Sequence, residues 1–388
     1  MAKRTGGFIG QDGINAPDQA TGVTGTAGDE QVEVSFTSPS DVGGAAVTGY
    51  RVQDSTGAFG ASGSASPITV TGLTNGTSYT FNVWAINPFG WSSPSDASGA
   101  VSPSGLFALM SGGGSSGSGA VINKILISAL GNATDFGDLS RNVTSTGSVG
   151  GETRGLMGGG NSSSDVTIDF VTFATDGNAS DFGDLTTGRN ELTGTGNATR
   201  GLFACGSNKN VIDYVTIAST GNAIDFGDRT ISTNDLGSLA SPSRAVFCGG
   251  GGSTNLMDYV TIASTGNASD FGDLTEGAQA PACASSSTRG LIMAINQGSG
   301  GVTVNYITIA STGNAIDFGD ASVTRGSGPA GASSNTRALL GGGYSSGSPS
   351  NSVEYFTIAS TGNGTDFGDL TLGAYRISGC SNAHGGLQ

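Results

Sequence analysis

The tetrapeptide Asp-Phe-Gly-Asp occurs six times, beginning at Asp135, Asp181, Asp225, Asp270, Asp317 and Asp366, at intervals of 46, 44, 45, 47 and 49 residues. Around it the order of signals is constant. In one copy RGLFACG (200–206) reads as an apolar strand, and after a Gly/Ser/Asn loop VIDYVTIAS (211–219) carries Val, Ile, Tyr and Thr at strand density. STGN (219–222) supplies a turn whose Gly and Asn tolerate positive φ, and AIDFGD then opens a short outer strand. A small-residue stretch such as NELTGTGNAT (190–199) reads as an inner strand at a crowded centre where only Gly, Ala, Ser and Thr fit. Each unit is therefore four strands, and a unit of this size must stack on its neighbours to bury its faces.

A four-stranded unit repeating in the forties is the pattern of β-propeller blades, so 104–388 is expected to form six of them. The array opens on a second-type strand at Gly105 with no inner strand before it, and ends on an inner-type stretch, YRISGCSNAH (375–384). A first blade that takes its inner strand from the C-terminus would seal the ring and remove the exposed sheet edges. Glycine runs at 112–114, 158–160, 249–252 and 341–343 end the second strand, and an aromatic follows in the third at Phe170, Tyr214, Tyr259, Tyr306 and Tyr355. This order resembles the kelch repeat, with Phe136, Phe182, Phe226, Phe271, Phe318 and Phe367 where kelch has Trp. The resemblance implies a fold and says little about activity.

Residues 15–103 have another texture. VEVSF (32–36), VTGYRVQ (47–53) and the segment from Ile68 to Ser95 read as strands, and Tyr79, Phe81, Val83 and Ala85 alternate as one inward face. Leu73, Tyr79, Phe81, Val83, Ala85, Asn87 and Gly90 together resemble the fibronectin type III signature, with Tyr79 at the tyrosine corner and Phe36 where Trp is usual. The expected fold class is all-β, a fibronectin type III sandwich followed by a six-bladed kelch-like propeller closed by a C-terminal strand.

Composition removes several function classes. A net charge of −15 with 15 basic residues repels a phosphate backbone, so no nucleic-acid partner is expected. No apolar run reaches the about 18 residues a membrane helix needs, and MAKRTGGFIG lacks a signal-peptide core, so no membrane insertion and synthesis in a cytoplasm are expected. Cys205, Cys248, Cys283 and Cys380 have no paired spacing and read as buried free thiols. The chain has one histidine, His384, and no nucleophile with a base, so no enzyme is expected. No cofactor is expected either. Twelve motif carboxylates could hold Ca²⁺, but their repetition in every copy favours a structural role, with Asp accepting backbone N–H groups at the turn. Arginine recurs before the second strand at Arg154, Arg200, Arg244, Arg289 and Arg337, with Ser104 in the first copy, and an Arg-to-Asp ladder around one rim is expected.

The copies differ most between the second and third strands and between the outer strand and the next inner one, and chain direction puts both loop sets on one face. Variable loops on a rigid scaffold make a recognition surface, with Asn161, Asn208, Lys209, Asn255, Asn296 and Tyr344 as candidate contacts. Loops that drift because nothing constrains them would look the same. The leader GGFIGQDGINAPD, the fibronectin-like module and the YVTIASTGNAxDFGDLT repeats together resemble virion structural proteins of tailed phages, marine cyanophages above all. The resemblance implies a virion location, an oligomeric tail fibre or similar appendage, and recognition of a host cell-surface glycan or protein. A glycan-cleaving propeller and a capsid decoration protein are the alternatives. The leader 1–14, with Phe8 and Ile9, is the expected docking arm to other virion proteins.

Overall fold

The computed structural model describes residues 15–75, 77–103, 105–114, 119–295 and 301–387. Phe8, Ile9, Ser104 and Asn296 lie outside the described residues. The chain divides between Gly105 and Leu106 into two compact units, and both are built from β-strands.

In the first unit Thr21–Gly28, Gln31–Thr37 and Ile68–Thr71 form one sheet, and Gly60–Gly63, Gly49–Asp54, Phe81–Asn87 and Gly90–Trp91 the other. Alternation decides the core: Val32, Val34 and Phe36 face Val52, Phe81, Val83 and Ala85, all buried. Each such Val or Phe contributes about 1.5–3 kcal/mol over leaving it exposed. The Tyr79 hydroxyl accepts the Thr74 backbone N–H at 3.1 Å, the corner expected there. Phe36 is buried with its ring centroid 4.8 Å from that of Tyr50.

The second unit contains six four-stranded antiparallel sheets, each of them open. The first comprises Thr134–Asp138, Val121–Leu126, Phe107–Ser111 and the C-terminal Ser378–Ser381, whose residues pair from Ser378 with Ser111 to Ser381 with Ala108. The strand missing at the start is thus supplied from the end. The other inner strands are Gly147–Gly150, Thr193–Gly196, Gly237–Ala240, Ala282–Ser285 and Ala330–Ser333. Each lies against the next, and Ser378–Ser381 lies against both the first and the last, so the inner strands make a closed circuit. Close approach requires glycine at some of these positions: a Cβ on Gly194 would stand 2.6 Å from Ser148 O on the neighbouring strand.

Asp-Phe-Gly-Asp latches each sheet to the next. In all six, pairing with the third strand skips the Phe, a bulge that turns its ring inward. The six Phe side chains are buried. The following glycine has φ between +139° and +146°, and a Cβ on Gly272 would stand 2.5 Å from Gly313 O in the next sheet's turn. That close approach permits three bonds. Gly313 N donates to Phe271 O (2.7 Å), Ala315 N to Asp273 O (2.8 Å), and Asp273 N to Asn314 Oδ1 (3.1 Å). The last copy returns to the first through Gly131 N to Phe367 O, Ala133 N to Asp369 O and Asp369 N to Asn132 Oδ1. This corrects one expectation: the turn asparagine is the accepting side chain, and the twelve motif carboxylates make no hydrogen bond among the described residues.

The Arg-to-Asp ladder is also corrected. The guanidinium carbons of Arg154, Arg200, Arg244, Arg289 and Arg337 stand 4.2–4.9 Å from the ring centroids of Phe170, Tyr214, Tyr259, Tyr306 and Tyr355. Each Nη1 donates to the carbonyl of the residue just past the third strand of the following sheet: Ile217, Ile262, Ile309, Ile358 and Ile127. Each guanidinium is thus held over a ring and on a backbone carbonyl, and among the described residues none of the five forms an ion pair with an aspartate. In the first sheet the partners are exchanged, because Phe107 takes the arginine position and Lys124 the aromatic one, with Nζ 4.2 Å from the Phe107 centroid. Lys124 also reaches Asp176 at 2.7 Å in the next sheet's turn, keeping a cationic link across that seam.

A second ladder runs through the interior. Asn123, Asp169, Asp213, Asp258, Asn305 and Glu354 occupy one third-strand position, all buried. Each accepts from the Ser or Thr that follows the preceding motif: Thr371, Ser140, Thr186, Thr230, Thr275 and, through its backbone N–H, Ser322. Where the acceptor is charged an arginine joins it, giving Arg141–Asp169, Arg189–Asp213, Arg229–Asp258 and Arg325–Glu354. Where no arginine pairs with the position it is Asn: the connection before Asn305 has none, and Arg376 in the connection before Asn123 pairs with Glu191 instead. Burial pushes the Asp169 carboxyl up, and the Ser140 hydroxyl and Arg141 oppose it. It also lowers Arg189 and Arg325, against the pull of Asp213 and Glu354.

Candidate functional site

The two ends of the circuit differ. One carries the latched turns, repeated with the same bonds six times. At the other the two loop sets meet: Gly113 N donates to Val143 O, Gly160 N to Arg189 O, Gly206 N to Thr233 O, Gly250 N to Ala278 O and Gly343 N to Ala374 O. Part of this end is more regular than the sequence suggests, since outer strands Ile224–Thr233 and Ile316–Arg325 take in residues read as connection.

The candidate contacts separate into two groups. Asn161 is held at φ 52°, its Nδ2 donating to Asn142 O and its Oδ1 accepting from Thr144 N. Lys209 Nζ donates to Thr187 Oγ1 and Gly188 O. These two fasten loops. Asn208 and Asn255 are exposed. Tyr344 is also exposed, its ring edge-on to Tyr375 with centroids 5.3 Å apart, and its backbone bonded twice to Gly326. It opens a small hairpin of Tyr344–Ser345 and Ser348–Pro349.

The sequence did not reveal the arrangement at the centre of this end. Just before each inner strand stands one residue in the left-handed region: Ser145 (φ 61°), Glu191 (59°), Asp235 (50°), Ala280 (50°), Ser327 (50°) and Arg376 (55°). Their backbones bond head to tail: Ser145 N to Arg376 O, Glu191 N to Ser145 O, Asp235 N to Glu191 O, Ala280 N to Asp235 O and Arg376 N to Ser327 O. Three of the six are charged. Arg376 Nη1 lies 2.6 Å from Glu191 Oε1, Asn234 Nδ2 donates to the other Glu191 oxygen, and Gln279 Nε2 donates to Asp235 at 3.1 Å. Burial pushes the Asp235 carboxyl up, with Glu191 adding to the rise and Gln279 and Arg376 opposing it. No residue type marks these positions in the sequence, because glycine, which favours such a backbone, stands at none of them.

Inside this collar is a cavity of about 100 Å³, continuing inward past Ser148, Gly194, Ser238, Cys283, Gly331 and Gly379. Hydroxyls belt its wall, with Thr146 and Ser148 each 2.6 Å from Ser378 Oγ and Thr193 2.6 Å from Ser238. The far end is crossed by the C-terminal tail. His384 Nε2 lies 2.8 Å from Gly150 O, Nδ1 accepts the Gly386 N–H at 3.1 Å, and the 3-10 turn Gly385–Leu387 packs on Gly237–Ala240 and Ala282–Ser285. The channel is therefore blind at that end. Burial lowers the His384 pKa, opposed by its bond to Gly150. Cys205, Cys248 and Cys380 are buried and Cys283 half-buried, all four as free thiols. Among the described residues no three His, Cys, Asp or Glu side chains converge as a metal site, and no helix is long and apolar enough to cross a membrane.

Residues 16–100 match the family model of the fibronectin type III domain. The N-terminal sandwich is a fibronectin type III domain. A crystal structure of titin domains is similar to the chain at 30% identity and a TM-score of 0.22, over 23% of this chain and 32% of that one. The chain spans about a third of the titin structure's length. No curated protein matches the chain.

Proposed function

We propose that the second unit is a six-bladed kelch-like β-propeller serving as a non-enzymatic recognition module on a phage virion appendage, with a host-surface glycan as its ligand. The observation that carries this reading is the asymmetry between the two ends. One end repeats the same latch at every seam, which leaves no room for divergence. The other carries loops of different length, an exposed Tyr344 and a blind polar cavity at the centre, the form a binding surface takes on a rigid scaffold. The virion assignment rests on the repeat phrase and leader resembling tailed-phage proteins. In it the fibronectin type III domain is a spacer and residues 1–14 dock on other virion proteins.

The test is incubation of the purified protein with host envelope polysaccharide, reading both retention and released reducing ends. Saturable retention without release supports the reading, and release establishes the glycan-cleaving alternative. Particles lacking residues 106–388 should lose adsorption to host cells; normal adsorption would leave only capsid decoration.

A further inference from the structure

The collar has a polarity that ring closure does not require. Ser145, Ala280 and Ser327 show that small residues suffice to hold the left-handed backbone, yet Glu191, Asp235 and Arg376 place large charged side chains at the same position. A non-glycine residue there already costs free energy, and such positions concentrate at ligand sites. The cavity wall is also divided. Arg376, Ser145, Glu191 and Asp235 follow one another around one side, and Ala280, Pro281 and Pro329 lie on the other. About 100 Å³ holds several waters. Because the tail bearing His384 crosses the far end, a ligand reaches this space from the loop end.

We propose that this axial cavity binds one uncharged pyranose of a glycan, edge first, with sugar hydroxyls donating to Asp235 and Glu191, Arg376 donating to sugar oxygens, and the apolar flank of the ring against Pro281 and Pro329. The inference rests on the glycan-recognition reading and adds its central subsite. Asp235 accepts one side-chain bond, from Gln279, so its carboxylate retains acceptor capacity. Burial that raises its pKa is a cost that sugar hydroxyls would relieve. An anionic sugar is disfavoured, because Glu191 and Asp235 outnumber Arg376 at the mouth and the chain carries −15 overall.

The test uses the full chain and two variants. Ala280→Phe fills the mouth from a position whose counterparts already carry long side chains, and Asp235→Asn keeps the shape while weakening the acceptor. Glucose, galactose and mannose are titrated separately by calorimetry, and host envelope polysaccharide is titrated in parallel. Expected are binding of at least one hexose, its loss in Ala280→Phe, and about a tenfold weaker Kd in Asp235→Asn, with both melting temperatures near that of the parent. If the polysaccharide binds and both variants bind it like the parent, the subsite is wrong while glycan recognition stands. If neither polysaccharide nor hexose binds the parent, both readings fall. Binding of methylamine or Ca²⁺ in place of any hexose also overturns the inference. Should Ala280→Phe fail to fold, Asp235→Asn alone decides.

Discussion

The interior ladder makes a quantitative prediction at Arg325 and Glu354. Both side chains are excluded from solvent, and they meet at 2.9 Å. Arg325 also donates to Gly342 O, Ser352 O and Ser352 Oγ, while Glu354 accepts from Ser322 N and Val323 N. Removing one partner strands the other charge in a dry interior, which costs about 3–5 kcal/mol. Arg325→Met and Glu354→Gln should therefore each be strongly destabilising alone. The double variant leaves no charge, fills most of the volume and keeps a carbonyl for the Ser322 and Val323 amides, so it should lose much less than the sum. The molecule already contains this neutral solution. Asn305 follows a connection with Ala278 at the place of Arg325, and Asn123 one with Ala374. Urea midpoints and melting temperatures of the four proteins form the cycle, and at about 2–4 °C per kcal/mol each single variant should melt roughly 6–20 °C low. A coupling energy below about 1 kcal/mol, or a Glu354→Gln variant as stable as the parent, would refute the charge-matching argument.

Gly272→Ala should cost more than about 2 kcal/mol through strain and the clash with Gly313 O, whereas Gly177→Ala, with open space at its Cβ, should stay within about 0.5 kcal/mol; equal melting shifts would contradict the latch. Removing residues 378–388 leaves Phe107–Ser111 an unpaired edge, so light scattering should show self-association, and an unchanged monomer would count against closure by this strand. Burial pushes Cys205 up to about 11 and Cys380 to about 12, so neither should react with a thiol reagent at pH 8 until the protein is denatured; prompt native labelling would oppose that burial. His384 has a folded pKa below its ordinary value, so the unfolded chain takes the proton first. Its contribution to stability is then intact above about pH 6.5 and is lost as pH falls toward the folded pKa. A parent with the same pH 7.5 to 5.5 change in melting temperature as His384→Asn would contradict this.

What the sequence disclosed follows from what repeats by letter. Asp-Phe-Gly-Asp repeats because the Phe bulge, the Gly approach and the Asp N–H each serve one bond geometry, so the count of sheets and the closing strand could both be read directly. Contacts kept through exchanged partners were hidden. Aligning letters set Ser104 against the arginines, yet Phe107 holds that place, because a cation over a ring survives when ring and cation trade positions. The interior arginines were hidden for another reason. Arg229, Arg141, Arg189 and Arg325 stand one, three, five and five residues after the motif's last Asp, so they form no column in a repeat alignment. Their partners did leave a signal. Asn, Asp, Asp, Asp, Asn and Glu sit where the third strand is otherwise apolar, and a polar residue there demands a buried partner. The collar left less, since a left-handed backbone with Ser, Glu, Asp, Ala, Ser and Arg has no residue type in common. What the six positions share is a hydrogen-bonded place around an axis, and the freedom of the side chain at such a place is what allows a binding site to differ from the ring that supports it.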